Sequence, residues 1–169
     1  YINDVGGAIF TTILQKNLMS TPEQRKEDKA KAKFIINTAC SKNQAAKDYL
    51  WDICEVWRRL DDIYDGDHEV TREQIINVFE ILWVRLPTNP FFVRHQDILT
   101  SQHITMWNAW VASNLWADGD ETEKIYSHVW RYTIHELVPL VALLTQGHTQ
   151  MAVVSGQVRQ MYKTKLGEE

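Results

Sequence analysis

The chain has 169 residues, of which 44% are hydrophobic and 24% charged. This composition predicts a single globular domain that spans residues 1–169, rather than a disordered chain. Its net charge of -4 argues against a nucleic-acid-binding surface, which needs concentrated basic charge. No apolar run approaches the roughly 18 residues that span a bilayer, so we expect a soluble, cytoplasmic protein with no membrane span. No leader or targeting tail is recognisable, and the first residue is Tyr1 rather than Met.

The rarer residue types give two further expectations. Cys40 and Cys54 are the only cysteines, and their spacing matches neither a metal site nor a disulfide framework. We therefore expect two reduced thiols in an intracellular protein. The seven tryptophans are unusual beside only seven glycines and four prolines, and they should lie mostly inside helices, in bulky cores or around aromatic-walled cavities.

The first part of the chain predicts three helices. Residues 4–15 place apolar side chains at helical spacing. Ser20 then begins a second helix over residues 22–39 as a hydroxyl cap followed by proline and acid. Ser41 is expected to cap the third, central helix, which runs to about residue 65.

The central helix carries the strongest periodic pattern. Its apolar residues step by four and three along one stripe, which predicts a buried seam: Ala46, Leu50, Ile53, Trp57, Leu60 and Tyr64. At about 100° per residue, Asp61 and Asp65 fall on the flank of this stripe and converge, whereas Asp62 points nearly away from the core. Arg58 and Arg59 are its expected partners.

The second part of the chain predicts further helices separated by clear breaks. Gly66 ends the central helix, and Thr71 with Gln74 opens the next as a capping box. That helix is apolar through Trp83, which we expect in the core, and it should stop before Pro87.

A helix over about residues 97–117 follows, with one apolar stripe that we expect to be buried: Ile104, Trp107, Val111 and Leu115. Asp118-Gly119-Asp120 breaks it. The next helix runs from Glu121 to about Gln146, kinked at Pro139 and ended by Gly147.

A last helix over about residues 150–165 closes the chain. The sequence therefore predicts an all-α, single-domain bundle of about seven helices, with no convincing strand and no internal repeat.

The acidic end of the central helix needs positive charge nearby. Carboxylates at a helix C-terminus face the negative end of the helix dipole, at a cost of roughly 0.3–1 kcal/mol each, and they repel one another at i, i+4 spacing. Arg58 or Arg59 is the structural source of compensation. Mg2+ bound by Asp61 and Asp65 is the functional one, because hard cations prefer carboxylate oxygens.

The string Asp61-Asp62-Ile63-Tyr64-Asp65 resembles the DDxxD motif of class I isoprenoid and terpene synthases, and it contains the DxxxD form of squalene and phytoene synthases. The resemblance implies that Asp61 and Asp65 hold Mg2+ against a substrate diphosphate, beside an aromatic cavity. Asn114-Leu115-Trp116-Ala117-Asp118 looks like the second, NxxxD metal segment of phytoene-synthase-like proteins. It implies that Asn114 and Asp118 complete the metal site, although the resemblance covers two short segments only.

Under this reading a diphosphate-bearing small molecule is the partner, and the candidate substrate-binding residues are Arg58, Lys124, Arg131 and Trp107. No catalytic residue is indicated. The tryptophans near residue 107 fit a core as well as a cavity wall.

The acidic cluster has three other interpretations, of which the first fails and the other two stay open. A calcium loop aligned on Gly66 fails, because its third and twelfth positions are Ile63 and Arg72. All-α nucleoside-triphosphate pyrophosphohydrolases use ExxE and ExxD pairs, to which only Asp52-xx-Glu55 and Asp62-xx-Asp65 correspond. The third alternative is a non-catalytic helical interaction or structural module, including a homo-oligomer, in which the acidic cluster is a salt-bridged surface helix end.

Overall fold

A computed structural model describes residues 22–66 and 69–161, with side chains described from residue 30 to residue 160 in those ranges. No β-strand occurs in this part of the chain, so the predicted all-α class is confirmed. The helix predicted over residues 4–15 and the cap at Ser20 lie outside the described residues.

The helices, in chain order, are α1 (Pro22–Cys40), α2 (Gln44–Asp65), α3 (Arg72–Glu80), α4 (Pro90–Arg94), α5 (Gln96–Trp116), α6 (Glu121–Arg131), α7 (Leu137–Gln146) and α8 (His148–Met161). α3 continues into a π-helical turn at Ile81–Arg85 and a final α-helical turn at Leu86–Thr88. α6 continues into a 3-10 turn at Tyr132–Glu136.

The central helix α2 begins two residues later than predicted. Asn43, not Ser41, is the N-cap, and its side-chain oxygen accepts the backbone N–H of Ala46 at 3.0 Å. Ser41 adopts the left-handed conformation (φ 51°) in the link after α1, which takes it out of cap position. Gly66 ends α2 as predicted, with φ 69° and its N–H donating to the Asp62 carbonyl.

The capping box that opens α3 is confirmed. Thr71 accepts the Gln74 backbone N–H at 3.3 Å, and the Gln74 side chain accepts the Thr71 N–H at 2.8 Å. The predicted stop before Pro87 is wrong. Pro87 is the second residue of the α-helical segment Leu86–Thr88, which follows the π-helical turn. Proline is tolerated there because the N–H groups of the first turn of an α-helical segment need no partner within that segment.

The segment around Pro139 is less regular than a single kinked helix. The α-helix stops at Arg131, and a 3-10 turn intervenes three residues before Pro139. Proline has no N–H to donate to the His135 carbonyl, so the α-helical ladder is weakest one turn upstream of it. Gly147, at φ 90°, ends α7 as predicted.

The hydrophobic core draws on α1, α2, α4, α5, α7 and α8. α7 pairs with α8, and both contact α1, while α5 pairs with α6. The predicted seam of α2 is confirmed from Ala46 to Trp57, Leu60 is partly buried, and Tyr64 is wrong because it is half exposed.

Between α2 and α5 lies a layer of aromatic side chains. Near the start of both helices, the Tyr49 hydroxyl is hydrogen-bonded to Nε2 of His103 at 2.7 Å. Further along, the ring of Trp57 lies 6.2 Å from that of Trp107 and 6.3 Å from that of Trp110. The two helices therefore run in the same direction, with large rings between them. Burial in this layer lowers the pKa of His103 to about 4 and raises that of Tyr49.

Candidate functional site

The C-terminal end of α2 buries two of the aspartates that the sequence singles out. Asp61 and Asp62 are each 4% exposed. For Asp62 this contradicts the expectation that it points away from the core. α2 contacts α1, α3, α4 and α7 as well as the aromatic layer, so a helical wheel with one buried direction does not describe it.

Asp62 is held by arginine, as expected. Nη1 of Arg59 lies 2.7 Å from Oδ2 of Asp62, and Nε of Arg59 lies 2.8 Å from Oε1 of Glu55. Nε of Arg58 is more distant from the same Asp62 oxygen, at 4.0 Å. Because Arg59 and Asp62 are both buried, the attraction between them offsets part of the cost of removing each charge from water. Asp62 is thus part of the internal structure of α2.

Asp61 reaches across the aromatic layer to α5. The indole N–H of Trp110 lies 3.5 Å from Oδ1 of Asp61, and the ring of Tyr64 packs edge-on against Trp110 at 5.1 Å. Asp65 follows Asp61 by one turn, and Asn114 follows Trp110 by one turn. Since the two helices run in the same direction, Asp65 and Asn114 lie at a common level along the bundle.

The predicted metal ligands are only partly brought together. Asp61 approaches α5 one turn before Asn114, whose Nδ2 is buried without a hydrogen-bond partner. Asp118 is exposed beyond the end of α5. Within residues 22–66 and 69–161, no group of three or more His, Cys, Asp or Glu side chains is placed to hold a metal ion. The donor set therefore fits Mg2+ only in part.

The predicted substrate-binding residues do not form one patch. Arg131 is 8% exposed, whereas Lys124 is exposed seven residues earlier on α6, about 10 Å away along the helix axis. Arg58 is partly exposed beside Asp62, and Trp107 is 51% exposed on α5. Ser127 donates to the Ser113 carbonyl at 2.7 Å and sets the register of α6 on α5.

The first two acids of the pyrophosphohydrolase alternative are also in ion pairs. Asp52 is bonded to Arg85 of the π-helical turn, and Glu55 is bonded to Arg59. An open groove of about 420 Å3 lies beside residues 97–105, at the other end of α5 from Asn114. It does not adjoin Asp61.

The sequence analysis placed the apolar stripe of α5 in the wrong environment. The buried residues of α5 are Leu99, Met106, Ala109, Trp110 and Ser113. Of the predicted core stripe, Ile104 is 65% and Leu115 76% exposed on the opposite, outer face, with Val111 beside them. Trp107 is 51% exposed at the edge of this face, because its ring also packs against those of Trp57 and Trp110 in the aromatic layer. Trp83, also predicted in the core, is exposed on the π-helical turn.

The signal for this outer face is present in the sequence. From Ile98 to Ala117 the chain has no Asp, Glu, Lys or Arg. A solvent-facing helix normally carries charge on its outer side. The outer stripe of Ile104, Trp107, Val111 and Leu115 is therefore an exposed apolar surface with no charged residue beside it on its own helix.

Comparisons with known proteins do not show a family for this chain. No protein-family model, no curated protein and no solved structure matches the chain. The resemblance to the isoprenoid-synthase aspartate motif therefore stays a prediction. No helix in the described part of the chain is long and apolar enough to cross a membrane.

Proposed function

We propose that the protein is a non-catalytic helical interaction module that works by protein contact through the outer stripe of α5. The observation that carries this proposal is the combination of exposure and missing charge in that stripe. Large apolar patches on soluble proteins mark interaction sites, because each Å2 left in water forgoes roughly 25 cal/mol of burial free energy.

The environment of the acidic cluster supports the same function. Glu55, Asp52 and Asp62 are each paired with an arginine, and Asp61 lies against an indole N–H. The pairs of Arg59 stabilise α2 internally, whereas Asp52 and Asp61 join α2 to the π-helical turn and to α5.

Site-specific photo-crosslinking tests the proposed function. We expect a benzoylphenylalanine introduced at Leu115 to give a covalent adduct with a protein when irradiated in cells. The matched control is the same residue at Thr122, an exposed position between Glu121 and Glu123 on α6. Absence of any Leu115 adduct, or equal adducts from both positions, would contradict the proposal.

A Mg2+-dependent protein that binds or turns over a diphosphate is the second candidate function. It is favoured by the Trp110–Asp61 contact, which sets the acidic end of α2 at the level of Asn114. In this proposal Asp61 and Asp65 hold the cation, and Arg58, at the exposed edge of the cluster, meets the diphosphate. When bound, Mg2+ supplies charge neutralisation for the diphosphate oxygens.

The melting temperature with Mg2+ and inorganic pyrophosphate tests this second candidate. A ligand at 100 times its Kd adds about 2.7 kcal/mol, which raises Tm by roughly 5–10 °C in a chain of this size. We expect that rise in the wild type and its loss in Asp61→Asn/Asp65→Asn. A wild-type Tm that does not move removes the diphosphate candidate and leaves the interaction module.

A further inference from the structure

We propose that the open groove beside residues 97–105 binds an arginine side chain of the protein that contacts the outer stripe of α5. This inference rests on the proposed function and names the chemistry of its partner. The groove has a volume of about 420 Å3, within the range of roughly 300–1,000 Å3 that is usual for ligand sites. It lies between α5 and α7 and is lined by Asp97, Ile98, Ser101, Gln102, Thr105 and Leu140.

The hydroxyl groups of the groove are available to a ligand as hydrogen-bond acceptors. Ser101 donates its hydroxyl proton to the Asp97 backbone carbonyl at 2.9 Å, and Thr105 donates to the Ser101 carbonyl at 3.1 Å. A hydroxyl group has a single proton to donate, so while these bonds hold, each Oγ atom can only accept. The groove therefore favours a ligand rich in N–H donors over a carboxylate or a phosphate.

The charge of the groove favours a cation. Of the described residues that line it, Asp97 alone is charged, and Asp97 is exposed. Within residues 22–66 and 69–161, no Arg, Lys or His side chain forms an ion pair with its carboxylate. A cationic donor in the groove would make a charge-assisted hydrogen bond to Asp97, which is roughly twice as strong as a neutral one.

The apolar part of the groove favours arginine among the cations. Ile98 is half exposed, and Leu140 of α7 is partly buried against the core. Arginine packs its hydrocarbon stem on such a surface while its charged head stays among polar groups. Asp97 and Ser101 are four residues apart, about 6 Å along the helix axis. The planar fork of a guanidinium can donate to both at once, whereas a lysine ammonium acts as a point charge.

The position of the groove assigns this arginine to the partner of the outer stripe. At about 100° per residue, Asp97 and Ser101 lie about 20° and 60° around α5 from Ile104. They lie on the side away from Trp107, and Asp97 precedes Ile104 by about 10 Å along the axis. A chain that runs along the stripe from Leu115 past Ile104 therefore brings a side chain to the mouth of the groove.

Proton–nitrogen correlation NMR of the full chain tests the groove, with N-acetyl-arginine methylamide as the probe. We expect saturable shifts at the amides of Ser101 and Thr105, with a Kd in the millimolar range for a ligand this small. The matched citrulline probe has the same shape without the charge, and it should bind at least about tenfold more weakly. Asp97→Asn should weaken the arginine probe to a similar degree. Glu121→Gln, an exposed acid at the start of α6, is the control and should not.

The photo-crosslink from Leu115 tests whether the arginine comes from the protein partner. Asp97→Asn should lower the yield of the Leu115 adduct at least about threefold, and Glu121→Gln should leave it unchanged. Far-UV circular dichroism checks that each variant is folded.

Four outcomes would overturn the inference: no shifts at the groove, equal binding of the citrulline probe, equal effects of the two variants, or a Leu115 adduct whose yield does not depend on Asp97. The last of these, together with probe binding, would assign the groove to a free guanidine instead. In every such case a Leu115 adduct leaves the proposed function standing, whereas absence of any adduct removes both.

Discussion

Composition alone would predict that the acidic end of α2 is exposed and that the outer stripe of α5 is buried, and the structure shows the reverse. The acidic end is rich in charge, yet two of its carboxylates are buried and its Asp62 is neutralised by Arg59. The outer stripe is apolar, yet Leu115 and Ile104 face solvent. Charge density in a sequence thus does not show which carboxylates are exposed when arginines lie one turn away.

The largest expected effect comes from unpairing the buried ion pair. Arg59→Ala leaves Asp62 buried without its principal cation, and we expect the free energy of unfolding in urea to fall by about 3–5 kcal/mol. The control Arg58→Ala removes only the exposed, 4.0 Å neighbour and should cost less than about 1 kcal/mol. Equal losses would mean that the two arginines are interchangeable and that the cluster is solvated.

The two faces of α5 should differ nearly as much under truncation. Met106 is 1% exposed, so Met106→Ala should lower the free energy of unfolding by about 2–5 kcal/mol. Leu115→Ala on the outer stripe should change it by less than about 0.5 kcal/mol when measured at low protein concentration. A large loss for Leu115→Ala under those conditions would place the outer stripe inside the fold of a single copy.

The aromatic layer that separates the two regions should make stability fall in mild acid. Burial lowers the folded-state pKa of His103 to about 4 from the ordinary 6.5, so the unfolded chain binds the proton first as pH falls. The stability that the neutral His103 contributes is present above about pH 6.5 and is lost as the pH falls. The loss in the free energy of unfolding amounts to about 2 kcal/mol between pH 7 and pH 5. Urea unfolding of the wild type and of His103→Phe at both pH values measures it. A pH dependence that survives in His103→Phe would assign the effect to other groups.

Short-range chemistry was readable from the sequence. The capping box of Thr71 and Gln74, and the terminators Gly66 and Gly147, depend on residues within one turn, and each is where the sequence predicts it. The predicted stop before Pro87 and the predicted cap at Ser41 are the local failures. Asn43 is an equally good cap two residues on, and local preference does not decide between them.

Long-range packing was not readable from the sequence. α5 has two apolar faces, one through Met106 and Trp110 and one through Trp107 and Val111, and only the position of α2 and α6 determines which is covered. The burial of Asp62 is of the same kind, because it depends on helices that pack around α2 from several sides. The pairing of Asp62 with Arg59 was predictable, since it needs only helical spacing.

The π-helical turn at Ile81–Arg85 determines how α3 is rotated about its axis relative to the residues that follow it. Its hydrogen bond from the Leu86 N–H to the Ile81 carbonyl encloses one residue more than an α-helical turn does. Removing one residue would rotate Arg72–Glu80 by about 100° relative to Leu86, which is buried in the core. The side of α3 that meets solvent is therefore decided by the number of residues in this turn, and the Arg85–Asp52 ion pair fastens the turn to α2.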